Sequence, residues 1–213
     1  MKVAVLGAHG KIAMLLHPIL KSNGHEVTGI IRNPDHAKDV EKAGARPVVC
    51  DVEREDDISE AVGKADAVVF AAGAGPGSGA ERKWTVDRDG ALKLLEAAQK
   101  NGIKRYVMIS AMKVEEPRGN EVFRVYQKAK AEADKALRES GLDFTIIRPG
   151  RLTDNLPTGR IALSENLDSG EIPRADVASV VAEVLETPES AGYQWDLISG
   201  DTPVETAISR AVS

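Results

Sequence analysis

Short apolar runs alternate with amphipathic helical patterns from the first residues onward, and this alternation constrains the fold more than any other feature of the chain. Residues 2–6 form a compact apolar run, after which Ile12, Leu15, Leu16 and Ile19 recur at helical spacing. Residues 26–31, 46–51, 66–72, 103–110 and 143–148 read as further strands, with helices predicted over 34–43, 56–62, 83–100 and 121–139. Six strands, most of them apolar on both faces and separated by helices, require a parallel sheet covered on both sides. The expected fold class is α/β: a Rossmann-type doubly wound parallel sheet, in a single domain over residues 1–213. Beyond Pro149 the rhythm loosens. Residues 150–173 are polar and turn-rich, and are followed by a helix carrying Val177, Val180, Val181 and Val184 on one face, a strand over 193–199 and a last helix over 204–211. This 150–213 segment is expected to form a substrate-side extension. Pro18, inside the first helix, lacks a backbone donor and should bend or shorten it.

Composition narrows the function. With 28 basic against 33 acidic residues and a net charge of −5, the overall field does not favour a phosphate backbone or an anionic membrane. Neither nucleic acid nor membrane is expected as a partner. The single cysteine, Cys50, has no intrachain partner and is expected to pack in a strand, and His9, His17, His25 and His36 lack the paired spacing of a zinc site, so no metal is expected. The opening apolar run is too short for a signal peptide and no stretch approaches membrane-spanning length, which points to a cytoplasmic protein.

The sequence Gly7-Ala8-His9-Gly10-Lys11-Ile12-Ala13 lies between the first strand and the first helix, as a dinucleotide-binding fingerprint must. Gly7 permits the tight turn, Gly10 lets the backbone approach a diphosphate, and Ala13 allows helix and strand to pack closely. The helix N-terminus supplies N–H donors and the positive end of a dipole. Arg32 ends the second strand with no acidic residue before the turn, which favours the 2′-phosphate of NADP over the free ribose of NAD. Asp51, after the third strand, suits either an adenine amino group or a cap for the next helix. Ala71, Ala72 and Gly73 end the fourth strand with residues small enough for close approach of a ribose.

Together with Val52, the Val86-Asp87-Arg88-Asp89-Gly90 run, Ile109-Ser110-Ala111, Ile147-Arg148-Pro149-Gly150 and Arg174-Ala175-Asp176-Val177-Ala178, these residues resemble the short-chain dehydrogenase/reductase superfamily, in its atypical, NmrA-like and epimerase-like NAD(P)H-binding branch. The likeness spans nearly the whole chain, departing from the usual pattern at Ala13, where glycine is common, and at His9, where threonine or serine is common. Tyr126 and Lys130 stand four apart on one helical face, a spacing at which an ammonium can bring a phenol from a pKa of about 10 toward the working range. The resemblance implies that Tyr126 is the acid–base group, that Lys130 also holds the nicotinamide ribose, that Ser110 binds the reacting oxygen and that Pro149 flanks the nicotinamide. It also places Asp87 where the superfamily's tetrad has asparagine, which puts the proton relay through lysine in question. Arg174 and Asp176 are candidates for pairing with cofactor-side loops, although the favoured role for Asp176 is a cap at the start of a helix.

The leading expectation is an NADP-dependent oxidoreductase moving hydride between the nicotinamide and a small carbonyl or alcohol. A related option is reduction of a planar acceptor such as a flavin or tetrapyrrole, which needs an open apolar cleft and little acid–base help. A sugar epimerase or dehydratase is disfavoured, because only 63 residues follow Gly150. The alternative of a different class is a non-catalytic NADP-binding redox sensor. The substrate is a small molecule, the assembly a monomer or homodimer, and residues 74–82 and 150–173 are expected to line the pocket.

Overall fold

The computed structural model describes residues 1–75 and 77–213; Pro76, in the loop expected to line the pocket, lies outside the described residues. The chain runs β1 (Lys2–Leu6), α1 (Lys11–Ser22), β2 (Glu26–Ile31), α2 (Ala37–Ala43), β3 (Arg46–Val49), α3 (Ser59–Val62), β4 (Ala67–Phe70) and α4 (Ala80–Arg82). A π-helical segment, Lys83–Arg88, leads into α5 (Asp89–Lys100), β5 (Arg105–Ile109), α6 (Glu121–Arg138) and β6 (Asp143–Pro149). The remainder is β7 (Arg151–Thr153), β8 (Arg160–Ser164), β9 (Glu171–Pro173), α7 (Arg174–Glu186), β10 (Tyr193–Ser199), β11 (Thr202–Pro203) and α8 (Val204–Ala211).

The main sheet has the order β11-β8-β10-β6-β5-β4-β1-β2-β3, parallel from β10 through β3, with β8 antiparallel to β10 and β11 antiparallel to β8. This is the doubly wound Rossmann arrangement, extended at one edge. Side chains alternate across a strand, so β1 sends Val3 and Val5 to one face and Ala4 and Leu6 to the other. Val3 and Val5 join a core with Leu16 and Leu20 of α1 and Val177 and Val181 of α7. Ala4 and Leu6 join another with Leu94 of α5 and Leu137 of α6. Both faces being buried is why the strand reads as a continuous apolar run.

Four local expectations are corrected. The helix expected over 34–43 begins as a 3₁₀ turn, Pro34–His36, in which Asn33 Oδ1 accepts from the Asp35 N–H at 3.0 Å. Of residues 56–62 only Ser59–Val62 is helical, because Asp57 uses its carboxylate to cap Ser59 and pair with Lys100. Residues 83–100 are not one α-helix; the first six form the π-helical segment. Residues 150–173, expected as loop, hold three strands. Here Gly150 and Gly170 let two segments cross: a Cβ on Gly150 would lie 2.4 Å from the Gly170 carbonyl, and Arg151 N–H donates to that carbonyl at 2.9 Å. Two smaller points also differ. Pro18 is exposed and α1 continues past it to Ser22, and Cys50 follows β3 rather than lying in it. No helix among the described residues is long and apolar enough to cross a membrane.

Candidate functional site

The strand order reverses between β4 and β1, and a crevice opens there at the carboxyl ends of the strands, where open α/β sheets place their ligands. Two cavities of about 650 and 240 Å³ share Gly10, Ala71, Ala72 and Gly73, so one cleft runs from Arg32 to Tyr126.

The Gly7–Ala13 loop, expected to hold a diphosphate, sits at its centre. Gly7 adopts φ +84°, and a Cβ there would lie 2.5 Å from the Ala72 Cα, so the loop lies against the end of β4 only because residue 7 is glycine. Ala13, in the first turn of α1, is fully buried, as close helix–strand packing requires. Gly10 caps α1 without a side chain and no acidic residue occupies the first turn, which leaves the helix N-terminus free for an anion. Lys11 and Ile12 line the larger cavity at that terminus. His17, fully buried, donates from Nε2 to the Ala8 carbonyl at 2.7 Å and pins the loop to its helix; burial pushes its pKa down, keeping it neutral. These features fit a dinucleotide diphosphate.

The smaller cavity holds the residues expected near an adenosine. His9, Arg32, Asp51 and Val52 all line it. His9 stacks on His36 with ring centroids 3.7 Å apart and reaches Asp39 at 3.2 Å. Asp51 Oδ1 accepts from the Glu53 N–H at 3.1 Å, which closes a turn at residues 51–54 and caps no helix, since α3 begins only at Ser59. Arg32 is not alone as expected: Glu53, arriving from the loop after β3, takes it at 2.9 Å and takes Arg82 at 2.6 Å. The Arg82 hydrogen bond first, with help from Thr85 and Arg32, holds the Glu53 carboxyl at about 2. Glu53 escaped the sequence reading because it lies outside the strand that carries Arg32.

At the other end, Ser110, Tyr126, Lys130 and Asp87 line the larger cavity together. Pro149 lines neither cavity, because it ends the buried strand β6. Lys130 is buried; its Nζ donates to the Ile109 carbonyl at 3.0 Å, lies 3.7 Å from Asp87 Oδ1 and 4.9 Å from the Phe70 ring centroid. Its charge is thus committed to Asp87. The second Asp87 oxygen accepts from the Ala74 N–H at 3.2 Å, tying the glycine-rich loop to the site.

The expected activation of Tyr126 is corrected by this pairing. Burial pushes the phenol pKa above its ordinary value, and the Asp87 and Asp134 carboxylates push it in the same direction. A second cation was not foreseen. Lys83, on the π-helical segment, donates to the Gly75 carbonyl at 2.8 Å and lies 5.5 Å from the Tyr126 ring centroid, with burial lowering its pKa. Phe123 stacks on Tyr126 with centroids 5.8 Å apart and, with Val122, gives the mouth of the cleft an aromatic and apolar wall. Across the diphosphate end, Asp154 joins Lys11 and Arg174, each at 2.6 Å. Asp176 caps no helix; it accepts from the Thr158 and Gly159 N–H groups at 3.0 and 2.9 Å and anchors the segment before β8.

Asp134, two turns beyond Tyr126 on α6, is fully buried and neither oxygen has a hydrogen-bond partner. Burial pushes its pKa up from 3.8 to about 6. Between those values the folded chain keeps a proton that the unfolded chain has lost, so Asp134 favours folding at low pH and this contribution disappears as the pH rises through 6. The stability difference between wild type and Asp134→Asn should therefore move by about 2 kcal/mol in favour of the variant from about pH 4 to pH 8. Denaturant titrations at both pH values check it, and a constant difference would refute the assignment.

A family model for NAD(P)H-binding proteins matches residues 7–188. The chain is 37% identical to the uncharacterized sugar epimerase YhfK of Bacillus subtilis, over 99% of this chain and 100% of that one. It is similar in structure to a Bacillus halodurans protein named for NAD-dependent epimerases/dehydratases, with a TM-score of 0.94, 38% identity and 99% coverage of both chains. The oxidoreductase ylbE from Lactococcus lactis superposes with a TM-score of 0.87, at 27% identity over 99% of this chain and 96% of that one.

Proposed function

Because the chain belongs to the NAD(P)H-binding family, in the atypical short-chain dehydrogenase/reductase branch, we propose that it is an NADP-dependent reductase of a planar, conjugated acceptor laid against Phe123 and Tyr126. The observation that carries this choice over a small carbonyl is the state of Tyr126, whose phenol is held in its neutral form by burial and by two carboxylates while Lys130 serves Asp87. A phenol so placed is a weak acid–base group, and an acceptor able to delocalise the incoming electrons needs it least.

The bound nicotinamide supplies a hydride. The Gly7–Gly10 loop and the N-terminus of α1 hold the diphosphate, and Arg32 with Arg82 attracts a 2′-phosphate despite the shared Glu53. An ammonium has three donors; Lys130 has at least one left for a ribose hydroxyl after Ile109 and Asp87. A sugar epimerase, as YhfK is named, fits less well. The chain after Gly150 is spent on extending the sheet through β10, β8 and β11 and on covering it with α7 and α8.

Titration with NADPH and NADH, followed by NADPH consumption over aldehydes, quinones and flavins, tests the reading. Arg32→Ala should weaken NADPH at least about tenfold and NADH far less. Tyr126→Phe, which keeps the ring, should keep turnover of the planar acceptors within about threefold, whereas loss of a general acid costs roughly a hundredfold or more. A hundredfold loss would return Tyr126 to the acid–base role, and binding without any turnover would support the redox-sensor reading.

A further inference from the structure

Four cations, Lys11, Lys83, Lys130 and Arg174, line the larger cavity against one carboxylate, Asp87. Three of them have acidic partners: Lys11 and Arg174 both reach Asp154, and Lys130 faces Asp87 at 3.7 Å. Lys83 forms no ion pair among the described residues, although it is only 8% exposed. An ammonium withdrawn from water without a counter-ion is costly and calls for a reason.

Holding the neighbouring loop does not supply one. Lys83 Nζ donates to the Gly75 carbonyl at 2.8 Å, but the Ser78 hydroxyl donates to the same carbonyl at 2.9 Å, and a neutral amide could take the place of the lysine there. The Tyr126 ring centroid lies 5.5 Å from Nζ, a contact that offsets only part of the lost hydration. Burial lowers the Lys83 pKa, and of the charges around it Asp87 attracts while Lys130 and Arg82 repel. Asp87 is thus shared between two ammonium groups and pairs with the other one. Lys83 also opens the π-helical segment, an uncommon backbone geometry that recurs at functional sites. Of its three N–H donors only one goes to Gly75. At the start of α6, Asn120 lines the same cavity; its Oδ1 accepts from the Phe123 N–H at 2.9 Å, which leaves its Nδ2 group as a donor.

We propose that Lys83 anchors an anionic group on the acceptor, so that the substrate of this cleft is a planar, conjugated carboxylate. The inference rests on the reductase reading and narrows its substrate class. The conjugated ring lies against Phe123 and Tyr126, the carboxylate takes the Lys83 ammonium, and Asn120 offers a second donor. Binding of such an acceptor gives the buried ammonium the counter-ion that the chain itself does not provide, and fixes which end of the acceptor points to the loop at Gly75. The other anion expected in the cleft, the cofactor diphosphate, is assigned above to the Gly7–Gly10 loop and the N-terminus of α1.

Two isosteric probes, 2-naphthoate and 2-naphthamide, separate the charge from the ring. Calorimetric titration of the protein saturated with NADP⁺, at low salt, should show the carboxylate bound at least about tenfold more tightly than the amide. Lys83→Gln, which keeps a donor for the Gly75 carbonyl, should bring that ratio to about one, and Lys83→Arg should restore it. Wild type that binds the two probes alike overturns the inference whatever the variants do, and so does a preference that survives in Lys83→Gln. A loss of NADPH affinity of about tenfold or more in Lys83→Gln would assign the ammonium to a cofactor phosphate and overturn it as well. The reductase reading survives all three results if wild type still consumes NADPH over uncharged quinones. Failure of wild type to bind either nucleotide overturns that reading, and the carboxylate subsite with it.

Discussion

Gly7→Ala is expected to abolish nucleotide binding and to cost about 4 kcal/mol of stability. Two penalties combine. Residue 7 sits at φ +84°, where an L side chain is strained, and its new Cβ would lie within 2.6 Å of the Ala72 Cα and N, which are backbone atoms at the end of β4 and cannot swing aside. The loop would have to lift from the sheet, carrying Gly10 and the N-terminus of α1 out of line with a diphosphate. Gly10→Ala is the informative control. Gly10 has φ −67°, open to any residue, and its Cβ would meet only the Gly7 carbonyl at 3.0 Å and the Ala71 carbonyl at 3.5 Å. That variant should fold with a loss near 1 kcal/mol and still bind NADPH poorly, because the methyl occupies the space a phosphate oxygen needs. Calorimetric titration and urea unfolding of both variants separate the two roles; Gly7→Ala binding NADPH with wild-type affinity would sink the account.

Asp87→Ala should be comparably damaging, at roughly 3–5 kcal/mol, for an electrostatic reason. Asp87 is 1% exposed and Lys130 is 3% exposed, so removing the carboxylate leaves an ammonium in the interior with the Ile109 carbonyl and the face of Phe70 for company. The Ala74 N–H loses its acceptor as well. Asp87→Asn keeps that acceptor and the shape, and should lose less. Combining Asp87→Ala with Lys130→Met should recover most of the stability, since neither charge is then left without the other. Thermal and urea unfolding of this set decide it; a single Asp87→Ala variant within 1 kcal/mol of wild type would mean that the pair is solvated rather than buried.

The sequence disclosed the alternation because burial on both faces of a parallel sheet leaves unbroken apolar runs, as in β1 and β4. It disclosed the glycine turn after β1 because only glycine tolerates the Ala72 contact and the positive φ at position 7. The strands of residues 150–173 stayed hidden for the opposite reason: β7 and β9 are three residues each, partly polar, and owe their pairing to a crossing of Gly150 over Gly170 that local pattern does not encode. The i, i+4 spacing of Tyr126 and Lys130 correctly put both at the cleft, but spacing says nothing of which neighbour takes the lysine's charge. That was decided by Asp87, arriving from another element. Asp134 and Glu53 were missed for a related reason, since an acidic residue on a charged helix or in a turn looks like any solvated carboxylate until tertiary contacts bury it.

The π-helical turn that carries Lys83 and Asp87 has a consequence for how the gene tolerates change in length. A π-turn is an α-helix holding one residue in excess. Deleting a single codon between positions 83 and 88 would let residues 80–100 run as an unbroken helix, with α5 and its core contacts undisturbed. The short helical stretch before the deletion, residues 80–83, would rotate by about 100° relative to α5, carrying Lys83 away from the Tyr126 ring and the Gly75 carbonyl. The cleft is therefore open to loss through an indel that leaves the sheet intact, a route by which a folded descendant with a dismantled cleft can arise in one step.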